Sequence, residues 1–377
     1  MWKTAFRFLT YDRSNLAGIL AGIVVSVVLV GIELGTFNNM IDNSRGLTKN
    51  YPDNIWVVNP KTQSALQLLN LDVRVGRELQ SIPGVRQVYP LVMAAGSAKS
   101  PKGTKLSVQI IGIQAPAFLG AAKTYTPETN INDLMNEGAV IFDKTELPKL
   151  DNMNIGDYLT INDQRVYLSG LSKGLTGFGS SYAITTLERA RTLSGLSTDF
   201  VNAYFLTLDT AQASKAVIMN RINTDIGKGQ VRAVEGQKLG DETILYMLTT
   251  SNIVASFLMM VVFSVVGGFA IVGVTLYSSV NDRIRDYGTI KAIGGSNGLI
   301  RQLILVQGVL YAVIGFSIAY VLLLLMQWAS AGGQLELHYP NWLIGLLIGV
   351  TLFISIVSSL IAMRKITRLE PVQIFRM

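Results

Sequence analysis

The sequence has no cysteine and a single histidine among its 377 residues. A disulfide framework, a thiolate nucleophile, a thiolate metal site and a centre built from several imidazoles are therefore all excluded. Charge is also scarce, at 15% of residues against 49% hydrophobic. That balance excludes a disordered chain and sets the sequence apart from ordinary soluble enzymes. No G-x-x-x-x-G-K-[ST] phosphate loop is present, since Gly227-Lys228 runs into Gly229 without that frame. The charge that exists leans basic, 32 Lys+Arg against 25 Asp+Glu, a net of +7. Such an excess fits nucleic acid or a membrane surface, and its position along the chain decides between them.

What the sequence does have is four long apolar runs, 16–37, 253–277, 303–328 and 342–363. Crossing a bilayer takes about 20 residues at about 1.5 Å each, and each run is long enough. The last three hold no charged residue, and the first holds only Glu33. The first is too long for a signal-peptide core and no clear small-residue cleavage pattern follows it, so it is expected to stay in the mature protein. Segments 1–15, 278–302 and 364–377 together hold 11 basic and 4 acidic residues, whereas 329–341 has no Lys or Arg. Short cytoplasmic loops collect Lys and Arg, so both termini and 278–302 are expected in the cytosol, with 38–252 and the short loop 329–341 outside. Segment 38–252 carries 21 basic and 19 acidic residues, so the positive excess sits at the inner membrane face. Nucleic-acid binding loses its support.

The fold class expected is an α-helical membrane protein with four transmembrane helices. A large mixed α/β extracytoplasmic domain, 38–252, is inserted between helices 1 and 2. Within it, strands are predicted at 54–58, 107–113, 139–142, 158–161, 165–169 and 203–208, with a hairpin turn around Asn162-Asp163-Gln164. Helices are predicted at 73–81, closed by Pro83-Gly84, and at 211–226, closed by Gly227. Residues 1–15 place Trp2, Ala5, Phe6 and Leu9 at helical spacing beside Lys3 and Arg7, the pattern of an amphipathic helix in the headgroup layer.

The loop 278–302 carries the most telling pattern. Ile284, Tyr287, Ile290 and Ile293 recur every three residues in a charged frame that stops at Gly294-Gly295, with Ser296 placed to cap the next helix. A short amphipathic helix between two spans has no lipid for its apolar side and is expected to dock into a groove on another protein.

This segment, SVNDRIRDYGTIKAIGGS (279–296), resembles the coupling segment of the MacB/FtsX-like (type VII) ABC transporter permeases, roughly E-R-x-x-E-x-x-x-L-K/R-A-I/L-G-A-S. Arg283, Lys291, Ala292, Ile293, Gly294 and Ser296 match, whereas Asp282 and Asp286 replace Glu and Gly295 replaces Ala. The ending RKITRLEPVQIFR is similar to the family's basic helix exit and its closure, here Pro371 to Arg376. The order of one span, a large outer domain and three further spans is also the family's. The stretch 32–64 looks most like the DevC and heme-exporter permease branch.

The resemblance implies a permease subunit that is not itself an enzyme and binds no cofactor. In the family, a permease homodimer sits on two ABC ATPase subunits, which hold ATP and Mg. Closure of those subunits pulls the coupling helices together and moves the outer domains by mechanotransmission. By that likeness Arg283, Arg285, Asp286, Tyr287, Ile290, Lys291 and Gly294 meet the ATPase. The cargo implied is a glycolipid, a heme or another amphiphile, exported from a bacterial inner membrane. A periplasmic adaptor (membrane fusion protein) and an outer-membrane channel complete the path if the DevC likeness holds. Two other readings stand beside export. One is an FtsX-like relay that activates a cell-wall hydrolase, and the other is an ATPase-independent receptor whose outer domain senses a ligand.

Within the spans, Gly18-x-x-x-Gly22, Gly31-x-x-x-Gly35 and Gly345-x-x-x-Gly349 each put two glycines on one helix face, where helices can pack closely. Glu33 reads either as a cargo or gating group at the outer leaflet or as a side chain that snorkels to water. His338, beside Tyr339-Pro340-Asn341-Trp342, reads as an interfacial histidine, with heme ligation the alternative.

Overall fold

A computed structural model describes residues 13–120, 122–177, 179–209, 213–226, 229–250, 252–330 and 337–367. The expected N-terminal helix up to residue 12, Gly227 and the 371–376 closure lie outside the described residues. The chain divides into two compact units, Met1–Asn39 with Asn252–Met377, and Met40–Ser251.

The first unit holds the helices α1 (Arg13–Ser44), α6 (Ile253–Asp282), α7 (Ile284–Ala292), α8 (Asn297–Ser330) and α9 (Asn341–Thr367), with residues 40–44 of α1 counted in the second unit. Of these, α1, α6, α8 and α9 are long and apolar enough to cross a membrane. Each runs past its predicted span at one or both ends, because helical hydrogen bonding continues after the apolar run stops. Four membrane-length helices, with a large mixed α/β unit between the first and the rest, are the architecture the sequence calls for.

Small residues set the helix packing. A methyl group on Gly22 would come within 2.7 Å of Ile271 Cγ2 on α6, and one on Gly315 within 2.6 Å of Ile23 Cγ2 on α1. Buried Ser26 donates to Ser264 O at 3.0 Å, and Ser355 of α9 donates to Gly308 O of α8 at 2.5 Å. Such hydrogen bonds satisfy hydroxyls that lipid cannot.

The second unit is built on a nine-stranded sheet. Its strands are β1 (Ile55–Val58), β3 (Val85–Lys99), β4 (Lys105–Ile113), β5 (Ala139–Asp143), β6 (Tyr158–Ile161), β7 (Gln164–Ser172), β8 (Ser181–Thr186), β10 (Ala203–Leu208) and β11 (Arg232–Glu235). They lie in the order β11-β1-β10-β3-β4-β8-β5-β7-β6. A further pairing of β6 with β3 closes β3-β4-β8-β5-β7-β6 into a circuit. A two-stranded sheet pairs β2 (Leu71–Asp72) with β9 (Phe200–Val201).

The arm β11-β1-β10 is buried on both faces. Ile55, Val57, Tyr204 and Leu206 join a core with residues of α2 (Val75–Gln80) and α4 (Lys215–Asp225), while Trp56, Val58, Ala203 and Phe205 belong to another core. That double burial is why β1 and the first part of β10 read as continuous apolar runs. The predicted hairpin is present: Ile161 faces Gln164, and Asn162 and Asp163 both take positive φ (48° and 63°), the geometry of a type I′ turn. Helix α3 (Leu187–Ser194) packs on β3 and β4, and α5 (Gly236–Thr250) closes the unit. The two ends of this unit are tied together by Arg45, which pairs with Asp241 at 3.0 Å, and by Thr243 Oγ1, which accepts from Ala65 N at 2.8 Å.

Candidate coupling site

Between α6 and α8 the chain turns at Arg283 (φ −103°, ψ 20°) into α7. Asp286 in its first turn and Lys291 in its last complement the helix dipole. The helix then stops as its sequence demands. Gly294 takes φ +95°, its N donates to Lys291 O at 3.1 Å, and Gly295 N donates to Ile290 O at 2.8 Å, a Schellman ending. Ser296 caps the next helix, its Oγ accepting from Leu299 N at 3.2 Å.

The faces of α7 depart from the expectation. Tyr287 is only 1% exposed and shares an apolar core with Val280, Ile300, Leu303 and Ile304, and half-buried Ile290 packs against that core. The apolar side of α7 therefore returns to the protein's own helices instead of waiting for a groove elsewhere. Tyr287, one of the residues expected at an ATPase contact, thus has its ring turned inward in this chain. Arg285, Asp286 and Gly294 are exposed, Ile293 is 81% exposed, and Arg283 and Lys291 are half-buried. The surface left on α7 is thus a charged pair with one apolar tip.

Burial pushes the Tyr287 phenol up to about 12, opposed by the nearby Arg283 charge and by a hydrogen bond with the Gln307 side chain. The group is therefore neutral at physiological pH. Gln307, itself buried in α8, escaped sequence reasoning; its signal was an amide inside an apolar run whose other amide, Gln327, stands at the far end.

Glu33 does not simply reach for water. Its Oε1 accepts from Ser264 Oγ of α6 at 2.9 Å, while its Oε2 is buried without a hydrogen-bond partner. The expected glycine faces split. A methyl on Gly18 would lie 3.1 Å from Thr275 Cγ2, one on Gly31 2.7 Å from Leu323 Cδ1, and one on Gly35 2.8 Å from Tyr339 Cε1. These three and Gly22 pack within the chain, whereas the Cβ directions of Gly345 and Gly349 open on empty space. His338 is exposed, and no group of three or more metal-ligating side chains occurs among the described residues.

Residues 15–222 match the MacB-like periplasmic core domain. The chain belongs to the MacB/FtsX-like permease family. The FtsX-like permease C-terminal family matches the complementary part, residues 246–371, which includes α7. Among similar proteins are the macrolide export ATP-binding/permease proteins MacB of Shewanella sp. (strain ANA-3) and Shewanella oneidensis, each 22% identical over 95% of this chain. The chain spans 57% of the length of these relatives. Solved structures with similarity include the periplasmic region of MacB from Actinobacillus actinomycetemcomitans. It is 11% identical, with a TM-score of 0.39 over 54% of this chain and 96% of that one. The extracellular domain of the noncanonic ABC-type transporter YknZ from Gram-positive bacteria is 14% identical, with a TM-score of 0.36 over 48% and 99%.

Proposed function

We propose that this chain is the permease subunit of an ABC exporter in a bacterial inner membrane. It works as a homodimer with two copies of a separate ATPase chain, which supply the ATP and Mg sites that no motif here provides. ATP-driven closure draws the two α7 helices together, and the spans carry the movement to an extracytoplasmic Met40–Ser251 unit. The observation that carries the reading is an ordered α7, fixed to the spans by Tyr287 and ended by Gly294, that keeps Arg285, Asp286 and Ile293 exposed. Charges give register at such a contact and the apolar tip gives area. The cargo is an amphiphile, with glycolipid and heme the classes favoured by the DevC-like stretch 32–64, and an adaptor and outer-membrane channel complete that path. The FtsX-like match over α7 also supports a second reading, a relay that activates a periplasmic cell-wall hydrolase without transport.

Because the sequence lacks cysteine, single-cysteine variants report topology cleanly. An Arg285→Cys chain is expected to react with a membrane-impermeant maleimide only from the cytosolic side, and Lys102→Cys, in an exposed turn of the α/β unit, only from the opposite side. Reversed labelling would remove the coupling reading. Export readouts address Glu33 separately. Glu33→Gln preserves an acceptor for Ser264 and deletes the charge, so a cargo or gating role predicts a loss of about tenfold or more in ATP-dependent export. Unchanged export reduces Glu33 to a tie between α1 and α6.

A further inference from the structure

We infer that the α/β unit carries a saccharide-binding cleft, built from Asn59, Lys61, Asn70, Asp72 and Gln230 with Phe200 at its rim. All of these residues belong to the Met40–Ser251 unit, so the inference goes beyond the coupling reading and does not depend on it.

Three segments far apart in sequence line the cleft: 59–61 after β1, 70–75 through β2 into α2, and 229–230 before β11. It holds about 360 Å³, within the range of about 300–1,000 Å³ in which small ligands bind. Its buried lining is apolar, from Leu71 and Val75. Its outer lining is polar and held in place from behind. Buried Asn202 accepts from Met93 N at 2.8 Å and donates to Leu68 O at 3.1 Å and Asn70 Oδ1 at 3.0 Å. Asn59 Nδ2 donates to Asn70 O at 2.9 Å, and Asn59 Oδ1 accepts from Lys61 N at 3.0 Å. Arg74 donates to Asp72 Oδ2 from Nε at 3.0 Å and from Nη2 at 2.6 Å. Those bonds hold the Asp72 carboxyl down to about 2, so it stays an acceptor at physiological pH. The Asn70 amide nitrogen, the Lys61 ammonium and the Gln230 amide keep no partner among the described residues. Polar ends left open on loops already fixed are preorganised for a ligand.

The mixture of groups selects the ligand. A bare anion would meet the Asp72 carboxylate, and a bare cation would meet the Lys61 ammonium. An apolar ligand would bury the open amides without partners. A sugar ring avoids all three penalties, because each of its hydroxyls both donates and accepts. Its C–H face needs an apolar surface, and Phe200 offers one. Phe200 stands directly opposite Asp72 in the β2–β9 pair, which puts both side chains on one face, and its ring is 41% exposed. Such a ring arrives either on a lipid headgroup or in a lipid-free envelope glycan, and the recognition chemistry is the same.

The test uses the full-length chain in lipid nanodiscs and reads hydrogen–deuterium exchange at 68–75 and 229–232. Chitotriose and maltotriose at about 10 mM probe the lipid-free source, and digalactosyldiacylglycerol in the nanodisc probes the headgroup. The expected result is protection of about twofold or more at both segments by one of these sources, with 144–150 unchanged. The source that protects names the origin of the sugar. Asn70→Asp keeps the acceptor for Asn202 and removes the open donor, whereas Phe200→Ala removes the ring. Each should weaken binding about fivefold while the thermal transition stays within about 2 °C. Lys102→Ala, in a turn outside the cleft, should change nothing. Absence of protection by all three sugars would overturn the inference. Equal protection by inorganic phosphate, or undiminished binding in both cleft variants, would overturn it as well.

Discussion

Replacing Asp143 with alanine is expected to destabilise the α/β unit by about 4 kcal/mol, as much as truncating a large core side chain. Asp143 is 1% exposed at the end of β5. Its carboxylate accepts from Thr145 N at 3.1 Å, Thr145 Oγ1 at 2.8 Å, Ser172 Oγ at 3.1 Å and Leu175 N at 2.9 Å. One side chain thereby caps the 3-10 turn Lys144–Leu150, holds the end of β7 and pins the loop that follows. Alanine would strand all four donors, two of them main-chain amides, and orphaned buried donors cost more than their hydrogen bonds contributed. Calorimetry of the intact chain should show the transition of this unit falling by about 10 °C, given about 2–4 °C per kcal/mol for a unit of this size. Asp143→Asn should recover less than half of the loss, because its amide nitrogen turns a donor toward donors. A fall of only about 2 °C in Asp143→Ala would mean that the loop re-pairs and that the carboxylate is dispensable.

Much of the architecture was legible in the sequence for simple reasons. Long apolar runs with at most one charge have one stable solvent, so the four membrane-length helices could be placed without tertiary knowledge. Turn chemistry is local, so the Asn162-Asp163 hairpin, the Gly294 helix end and the Ser296 cap were all readable. β3, the longest strand, was not. It contains Pro90 and Gly96, which argue against a central strand. The structure admits both because the strand changes partners midway. Residues 85–91 pair with β10, and 91–99 pair with β4, so Pro90 has only one paired edge. Gly96 leaves room for the Asn162 side chain, whose Oδ1 accepts from Ser97 N at 2.9 Å. Strand β8 and helices α3 and α5 also escaped, since their apolar residues are spent on contacts far away in sequence.

The candidate site was legible as a position but not as an orientation. Spacing put Tyr287, Ile290 and Ile293 on related faces of a helix, yet it carries no information on whether that face meets a partner or the protein's own spans. Only the facing helix decides this, and its contribution, Gln307 with Tyr311, lies some twenty residues away in the chain. The glycine pairs teach the same lesson. The spacing in Gly18–Gly22 and in Gly345–Gly349 is identical, but the first is filled by Thr275, Ile271 and Val272 and the second opens outward.

Reversing both exposed charges of α7, Arg285→Glu with Asp286→Lys, is expected to weaken association with the ATPase about 100-fold. Both side chains are exposed, so the chain itself should keep its stability within about 0.5 kcal/mol. The loss then belongs to the contact and not to the fold, which is what distinguishes it from Asp143→Ala. Charge reversal turns attraction into repulsion instead of merely deleting it, and the penalty grows at low salt, where screening is weakest. Pull-down of the ATPase across a salt series should show the wild-type complex weakening with salt and the reversed chain binding poorly throughout. ATP-dependent export should fall in step with occupancy. A receptor that works without an ATPase predicts the opposite, full function with both charges reversed. Retained binding with an unaltered salt profile would mean that the ATPase meets another surface, and Arg285 and Asp286 would lose their place in the coupling scheme.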